Sequence, residues 1–215
     1  MRADSNLALG LRALAPSRDP AGFLCAEGAL RCSYAGLAGG YETYLATRTS
    51  KFRNNLCRAW RRAAERGFEI RELEPASFAA NDLPAAFLDL HGRRFPHTCF
   101  ALPRERAFAE RALPGLFADR GLRAFAAFDG GRMIAISLCA VGDRSLGLWN
   151  GGFLPEVLVC GAGKLLIDAA IRQACAEGLE ELDFLRGDED YKAEWSTHER
   201  TIGRLDLGAG EPREA

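Results

Sequence analysis

Histidine is scarce in this chain: His91, His97 and His198 are its three, and none stands in an H-E-x-x-H or H-x-E spacing. The common signatures of a zinc site are therefore missing, and no metal is expected. Cysteine is present seven times but never as a C-x-x-C pair. Several cysteines lie inside apolar runs such as MIAISLCAV, so they read as small buried hydrophobes in a reducing compartment rather than as a disulfide framework. Long apolar stretches are missing too. Arg2, Asp4, Arg12 and Arg18 break up the N-terminus, nothing approaches the length of a membrane span, and the cytoplasm is the expected address. Nor is there an excess of either charge. At a formal net charge of -1, the overall balance calls for neither nucleic acid nor a membrane surface, so any electrostatic partner must be recognised by a local cluster. A P-loop and internal repeats are also lacking.

What is there is enough apolar residue, 48% of 215, to bury one sizeable core. Residues 1–40, punctuated by Pro16 and Pro20 and closed by Gly39-Gly40, read as an N-terminal lead-in segment containing the strand-like piece ALRCSYAGL. Residues 41–207 read as the main domain, and the tail GAGEPREA at 208–215 as a disordered end. From Tyr41 to Gly67 apolar residues recur at spacings of three and four, which predicts one basic helix carrying Arg48, Lys51, Arg53, Arg58, Arg61, Arg62 and Arg66. FEIRELEP alternates like a strand. Helices are expected over Pro84–Phe95 and over Arg104–Asp119, the latter interrupted by Pro114.

The period then changes to two. Two apolar runs flank Asp129-Gly130-Gly131, a hairpin signal, and SLGLWNGGF makes a third strand. A helix over Lys164–Glu177 ends at Gly178. ELDFL is the next strand, YKAEW a short helical turn and TIGRLDL a final strand. Antiparallel strands followed by a β-helix-β crossover predict an α/β (α+β) fold: a mixed, mostly antiparallel sheet with helices on both faces.

Chemistry concentrates in the second half. The segment Gly161–Lys164 opens a helix, where the first N–H groups have no partner inside the helix and the dipole is positive, so an anion such as a pyrophosphate is a natural occupant. The plain alternative is a tight turn beneath a packed helix. The basic helix has two readings as well: a solvated face, or a contact for phosphates, an anionic glycan or an RNA acceptor stem.

Taken together, LWNGGF, GAGK, the helix ending in Gly178, Asp183-Phe184, Arg186-Gly187, Tyr191-Lys192 and Trp195 resemble the GNAT acyltransferase superfamily. The similarity is greatest to the CelD-like, cellulose-biosynthesis subgroup related to the FemAB aminoacyl transferases, and it spans roughly residues 34 to 207. Two positions depart from the pattern. Leu158 stands where glutamine or arginine opens the turn Q/R-x-x-G-x-G/A, and Ala162-Gly163 stands where the subgroup often has proline-glycine. Subgroup members commonly contain two such halves; this chain has room for only the second, with residues 1–40 expected to be the remnant of a first.

The resemblance implies acetyl-CoA, or another acyl-CoA, as co-substrate, held by Cys160, Gly161, Ala162, Gly163 and Lys164. It implies direct transfer of the acyl group to an amine, with a sugar or cell-envelope precursor as the acceptor class considered. Lys192 would face the oxyanion, Tyr191 would act as a proton donor and Asp183 as a base, with Asn150 and Arg186 as substrate contacts. Lys192 pairing with Asp188, Glu189 or Glu194, Asp183 merely holding Arg186, and Gly151-Gly152 simply forming a turn beside Asn150 are the structural alternatives. A non-catalytic binding module and a FemAB-like aminoacyl-tRNA-dependent transferase are the competing functions. Nucleic acid is a partner only under the last, and a homodimer is one way of supplying a missing half.

Overall fold

The computed structural model describes residues 23–207; the expectations for residues 1–22 and for the tail lie outside the described residues. The described chain divides into two compact units, residues 35–183 and residues 23–34 with 184–207.

In the larger unit, helices α1 (Gly40–Ala46) and α2 (Ser50–Glu65) replace the single basic helix expected from periodicity. The break has a local cause. Thr49 is extended and its hydroxyl accepts from the Phe52 amide at 3.1 Å, capping α2, while Thr47 turns its hydroxyl back onto the Tyr44 carbonyl. Strand β2 (Glu69–Leu73) follows, then α3 (Leu83–Arg94) and α4 (Pro103–Ala118). Contrary to expectation, α4 runs through Pro114 without interruption. Ala109, Leu113 and Phe117 are buried on both sides of it, and the carbonyl that loses its N–H partner belongs to solvent-facing Glu110.

Strands β3 (Leu122–Asp129) and β4 (Arg132–Val141) form the hairpin predicted at Asp129-Gly130-Gly131. Both glycines have positive φ, 54° and 84°, as a two-residue turn matched to strand twist requires. Next come β5 (Ser145–Phe153), a 3-10 segment over Pro155–Cys160, α5 (Ala162–Ala176) and the start of β6 (Glu181–Arg186). The sheet order is β2-β3-β4-β5-β6, antiparallel up to β5 and parallel between β5 and β6. The mixed sheet with a β-α-β crossover is thus observed as expected.

Leu122–Phe128 and Ile134–Cys139 are buried continuously, as strands covered on both faces must be. The covers can be assigned at the tip of β5. Gly152 faces α3, since a Cβ there would lie 2.6 Å from the His91 Cα, and the next residue, Phe153, faces α5. Neighbouring strand residues point to opposite faces, so the two helices flank the sheet. This also corrects the reading of Gly151-Gly152 as a turn. Both lie inside β5, where glycine is required because α3 and the Ile136 carbonyl come too close for a side chain.

In the smaller unit β1 (Phe23–Gly36) pairs antiparallel with β7 (His198–Leu207), and α6 (Asp190–Trp195) buries Trp195 completely. Tyr34 stacks on His198 at 5.2 Å and receives the Arg200 guanidinium on its ring.

Candidate functional site

The expected site residues fall into two groups, one per unit. In the larger unit the organising feature is the end of the parallel ladder. It covers only Ser145↔Glu181, Leu146↔Leu182 and Gly147↔Asp183, yet β5 runs six residues further, to Phe153. Just beyond the ladder, Trp149 is an extra residue against β4, a bulge that bends the strand there. Asp183 sits at the last rung, out of phase with buried Leu182 and Phe184. Asn150, on the bulge, folds its side-chain oxygen onto the Gly151 amide at 3.0 Å.

From the tip of β5 the chain passes through the 3-10 segment into the turn of interest. Gly161 is left-handed (φ 74°), no side chain caps the helix, and the Gly161 carbonyl receives the Leu165 amide, so the N–H groups of Ala162 and Gly163 head out of the helix. Of Cys160 the backbone is described, as the end of the 3-10 segment. The turn is bracketed by small contacts. A Cβ on Gly161 would touch Ala59 of α2 at 3.6 Å, and one on Gly163 would touch the Phe153 ring at 3.8 Å. Bare amides, two glycines and Lys164 in the first turn suit an anionic group bearing several oxygens.

Two networks hold α5. At its middle, Asp168 is fully buried and accepts from Tyr41 (2.5 Å), Trp60 (2.7 Å) and Arg172 (2.7 Å), with Arg172 stacked on the Tyr41 ring at 4.0 Å. Burial together with the Asp168 carboxylate pushes the Tyr41 hydroxyl far above its ordinary pKa, so it stays a donor. This ties the basic helix to the crossover helix and fixes where the turn points. At the far end, buried Arg123 of β3 forks onto Glu72 of β2 and Glu177 beyond α5. Burial alone would raise the Glu177 pKa, but the hydrogen bonds from Arg123 and Gln173 outweigh it and hold the carboxyl below the usual range.

On the other face, His91 of α3 lies 4% exposed among Phe87, Phe95 and Phe100. Its Nδ1–H donates to the Gly151 carbonyl at 2.8 Å, and its Nε2 lies 2.8 Å from the Thr98 hydroxyl, which also reaches the Phe95 carbonyl at 3.2 Å. Burial lowers its pKa, partly offset by the Gly151 hydrogen bond. Three residues on, Arg94 lies between the rings of Phe95 (4.7 Å) and Phe153 (5.1 Å).

The second group occupies the smaller unit. Lys192, 4% exposed, extends its ammonium beneath the Arg186-Gly187 turn, donating to the Arg186 carbonyl at 2.7 Å and pairing with Glu189 at 2.7 Å. Gly187 has φ 119°, which a side chain rarely adopts, and a Cβ there would press on the Glu189 carboxylate and lie 2.8 Å from the Lys192 nitrogen. Of the three acids weighed as Lys192 partners, Glu189 is the one in contact. Burial opposes ionisation of Glu189, yet the Lys192 hydrogen bond holds its pKa below the usual range. Tyr191 packs edge-on against Phe184 at 6.4 Å, and burial, helped by the Glu189 charge, moves its pKa up to about 12. Arg186 contributes its backbone carbonyl to this loop, while its side chain is exposed.

Sequence reasoning missed Asp168, Arg123, His91, Phe153 and Arg94. Their partners are remote in sequence, and only the H-G-R-R-F run at the end of α3 carried a local hint of charge beside aromatic rings. Among the described residues, no group of three or more His, Cys, Asp or Glu is arranged to hold a metal ion, and no helix is long and apolar enough to cross a membrane.

The family described as Acetyltransferase (GNAT) domain matches residues 50–193. No curated protein matches the sequence. Among solved structures the chain is similar to a conserved protein of unknown function from Bacteroides thetaiotaomicron VPI-5482, with TM-score 0.62 and 16% identity over 95% of this chain and 67% of that one. It is also similar to FemX (TM-score 0.65, 10% identity, 93% of this chain and 68% of that one). A third is L-PGS from Bacillus licheniformis (TM-score 0.57, 10% identity, 93% and 65%). At these identities the likeness is one of fold.

Proposed function

Because this chain belongs to the GNAT acetyltransferase domain family, we propose that it is an acyl-CoA-dependent N-acyltransferase of the CelD-like, FemAB-related kind, acting on an amine of a sugar or cell-envelope precursor. The observation that carries the reading is the short parallel ladder. Beyond Gly147 and Asp183 the pairing with β6 stops, while bulged β5 leads to the Ala162 and Gly163 amides that open α5. An extended pantetheine arm can continue the interrupted ladder along β5, with its diphosphate at the turn.

Within this reading Ala162, Gly163 and Lys164 bind the phosphate oxygens, and Asp183, at the mouth of the gap, accepts a hydrogen bond from the acceptor amine and orients it. The amine nitrogen forms its bond to the acyl carbon, the carbon–sulfur bond breaks, and the ammonium proton passes to the departing thiolate. Tyr191, of the smaller unit, has a pKa raised to about 12, so the role that this reading gives it is that of a hydrogen-bond donor rather than an acid, because a thiol near 8.5 is the stronger acid. Lys192, of the smaller unit, has one ammonium hydrogen beyond those used on Arg186 and Glu189, which leaves it one donor for the role that the family resemblance implies.

Two observations favour other readings. The double commitment of Lys192 suits a fold that binds without catalysing. The stripe of exposed Lys51, Arg58, Arg62 and Arg66 on one side of α2 suits an aminoacyl-tRNA donor. The deciding experiment offers acetyl-CoA with a panel of amino sugars and follows thiol release. Thiol release that depends on the amine supports the proposal. Binding of CoA without release identifies the binding module, and affinity for tRNA without affinity for CoA identifies the third reading.

A further inference from the structure

Arg94 is the one cation of the β5 tip whose surroundings leave it unanswered. Its Nε is buried without a hydrogen-bond partner, and among the described residues its guanidinium makes no ion pair or hydrogen bond at all. On the same helix, Asp89 is taken by Arg93. The two aromatic rings it lies over attract the guanidinium but supply no oxygen acceptor for its N–H groups. A buried Nε–H without an acceptor is costly, and an anion arriving from outside would satisfy it.

The place where that anion would sit follows from Phe153. Arg94 lies over this ring at 5.1 Å, and the same ring meets Gly163 of the α5 turn, so the end of α3 and the start of α5 converge on the tip of β5 within the larger unit. The turn itself, LVCGAGK, brings a single cation, Lys164. A diphosphate lying on the turn's amides carries more negative charge than one lysine answers.

We propose that Arg94 is the second cation of the acyl-donor site and binds its diphosphate across the Phe153 ring. This rests on the acyl-CoA reading above for the identity of the donor, but the anion site is defined by Arg94 itself and can be tested apart from it. Planar, bidentate recognition of phosphate oxygens is the geometry a stacked guanidinium provides and a lysine does not.

The test measures calorimetric affinity of wild type, Arg94→Ala and Arg94→Lys for CoA, phosphate-free pantetheine and inorganic pyrophosphate, with circular dichroism confirming that the variants fold. Arg94→Ala is expected to weaken CoA and pyrophosphate by about tenfold to a hundredfold, as loss of a charged hydrogen-bonding partner does, and to leave pantetheine unchanged. Arg94→Lys should fall between, and the salt dependence of CoA binding should flatten in Arg94→Ala. Equal affinity of wild type and Arg94→Ala for CoA overturns the proposal. If pyrophosphate alone is lost, the anion belongs to the acceptor and the donor assignment is wrong. If wild type binds pyrophosphate through Arg94 but ignores CoA, the site stands and the acyl-CoA reading falls. Should wild type bind neither, both fall.

Discussion

Helix α5 has a charged residue near each of its ends, and the fold treats the two in opposite ways. Beyond its C-terminal end Arg123 is 4% exposed and every direction of its fork meets a carboxylate, from Glu72 on one side and Glu177 on the other. Near its N-terminal end Arg94 is stacked, oriented and without any oxygen partner among the described residues. Where charge serves the scaffold, the network is completed internally, because a buried ion left unpaired costs several kcal/mol. Where charge is left incomplete beside bare helix amides, the missing partner is external. Lys192 falls between the two, since its ammonium has two partners and one hydrogen left over.

The largest expected effect tests the closed end. Arg123→Met leaves Glu72 and Glu177 facing one another across the place the guanidinium held and should reduce the unfolding free energy by about 3 kcal/mol, read from the urea midpoint at neutral pH. Because the Glu177 pKa is depressed in the folded state, its stabilising contribution is present above the ordinary carboxylate pKa and is lost as pH falls through the folded value. The cost of Arg123→Met should therefore shrink on acidification.

Next in size is Gly187→Ala. At φ 119° and with the Lys192 nitrogen 2.8 Å from any Cβ, the substitution must displace the Lys192–Glu189 pair, with an expected loss of about 2 kcal/mol. If Lys192 acts on the oxyanion, turnover should fall further than stability explains.

His91 gives a smaller, pH-specific effect. Its folded pKa is lowered, so the neutral form belongs to the native state. Stability is full above the ordinary histidine value of about 6.5 and declines as pH falls from there through the folded value. His91→Asn should flatten that slope between pH 7 and 5, and an unchanged slope would remove His91 as its source. The smallest effect is on the open end. Arg94→Ala gives up two ring contacts and no ion pair, so stability without ligand should change by less than about 1 kcal/mol. A loss as large as that of Arg123 would erase the contrast between the two ends.

Most of the fold was readable in the sequence because its signals are local. The Asp129-Gly130-Gly131 hairpin, the strand at Glu69–Leu73 and the crossover helix ending before Gly178 are each set by residues a few positions apart. The errors came where a local signal has two outcomes. Thr49 reads as an ordinary helical residue until its hydroxyl is seen capping α2, Pro114 reads as a breaker until buried Leu113 and Phe117 hold the helix on both sides, and Gly151-Gly152 read as a turn until α3 is found lying on them. Of the site, the glycine turn was legible from its place ahead of a helix. Arg94, His91 and Phe153 were not, because their meaning comes from residues up to 60 positions away, as the His91 to Gly151 bond shows.

The central claim, that the donor's diphosphate rests on the first turn of α5, is tested most directly by following backbone amide resonances during titration with acetyl-CoA. The largest changes are expected at Gly161, Ala162, Gly163 and Lys164, with the Arg94 side-chain Nε–H moving in step. Amides of that turn that stay put at saturating acetyl-CoA would contradict the account.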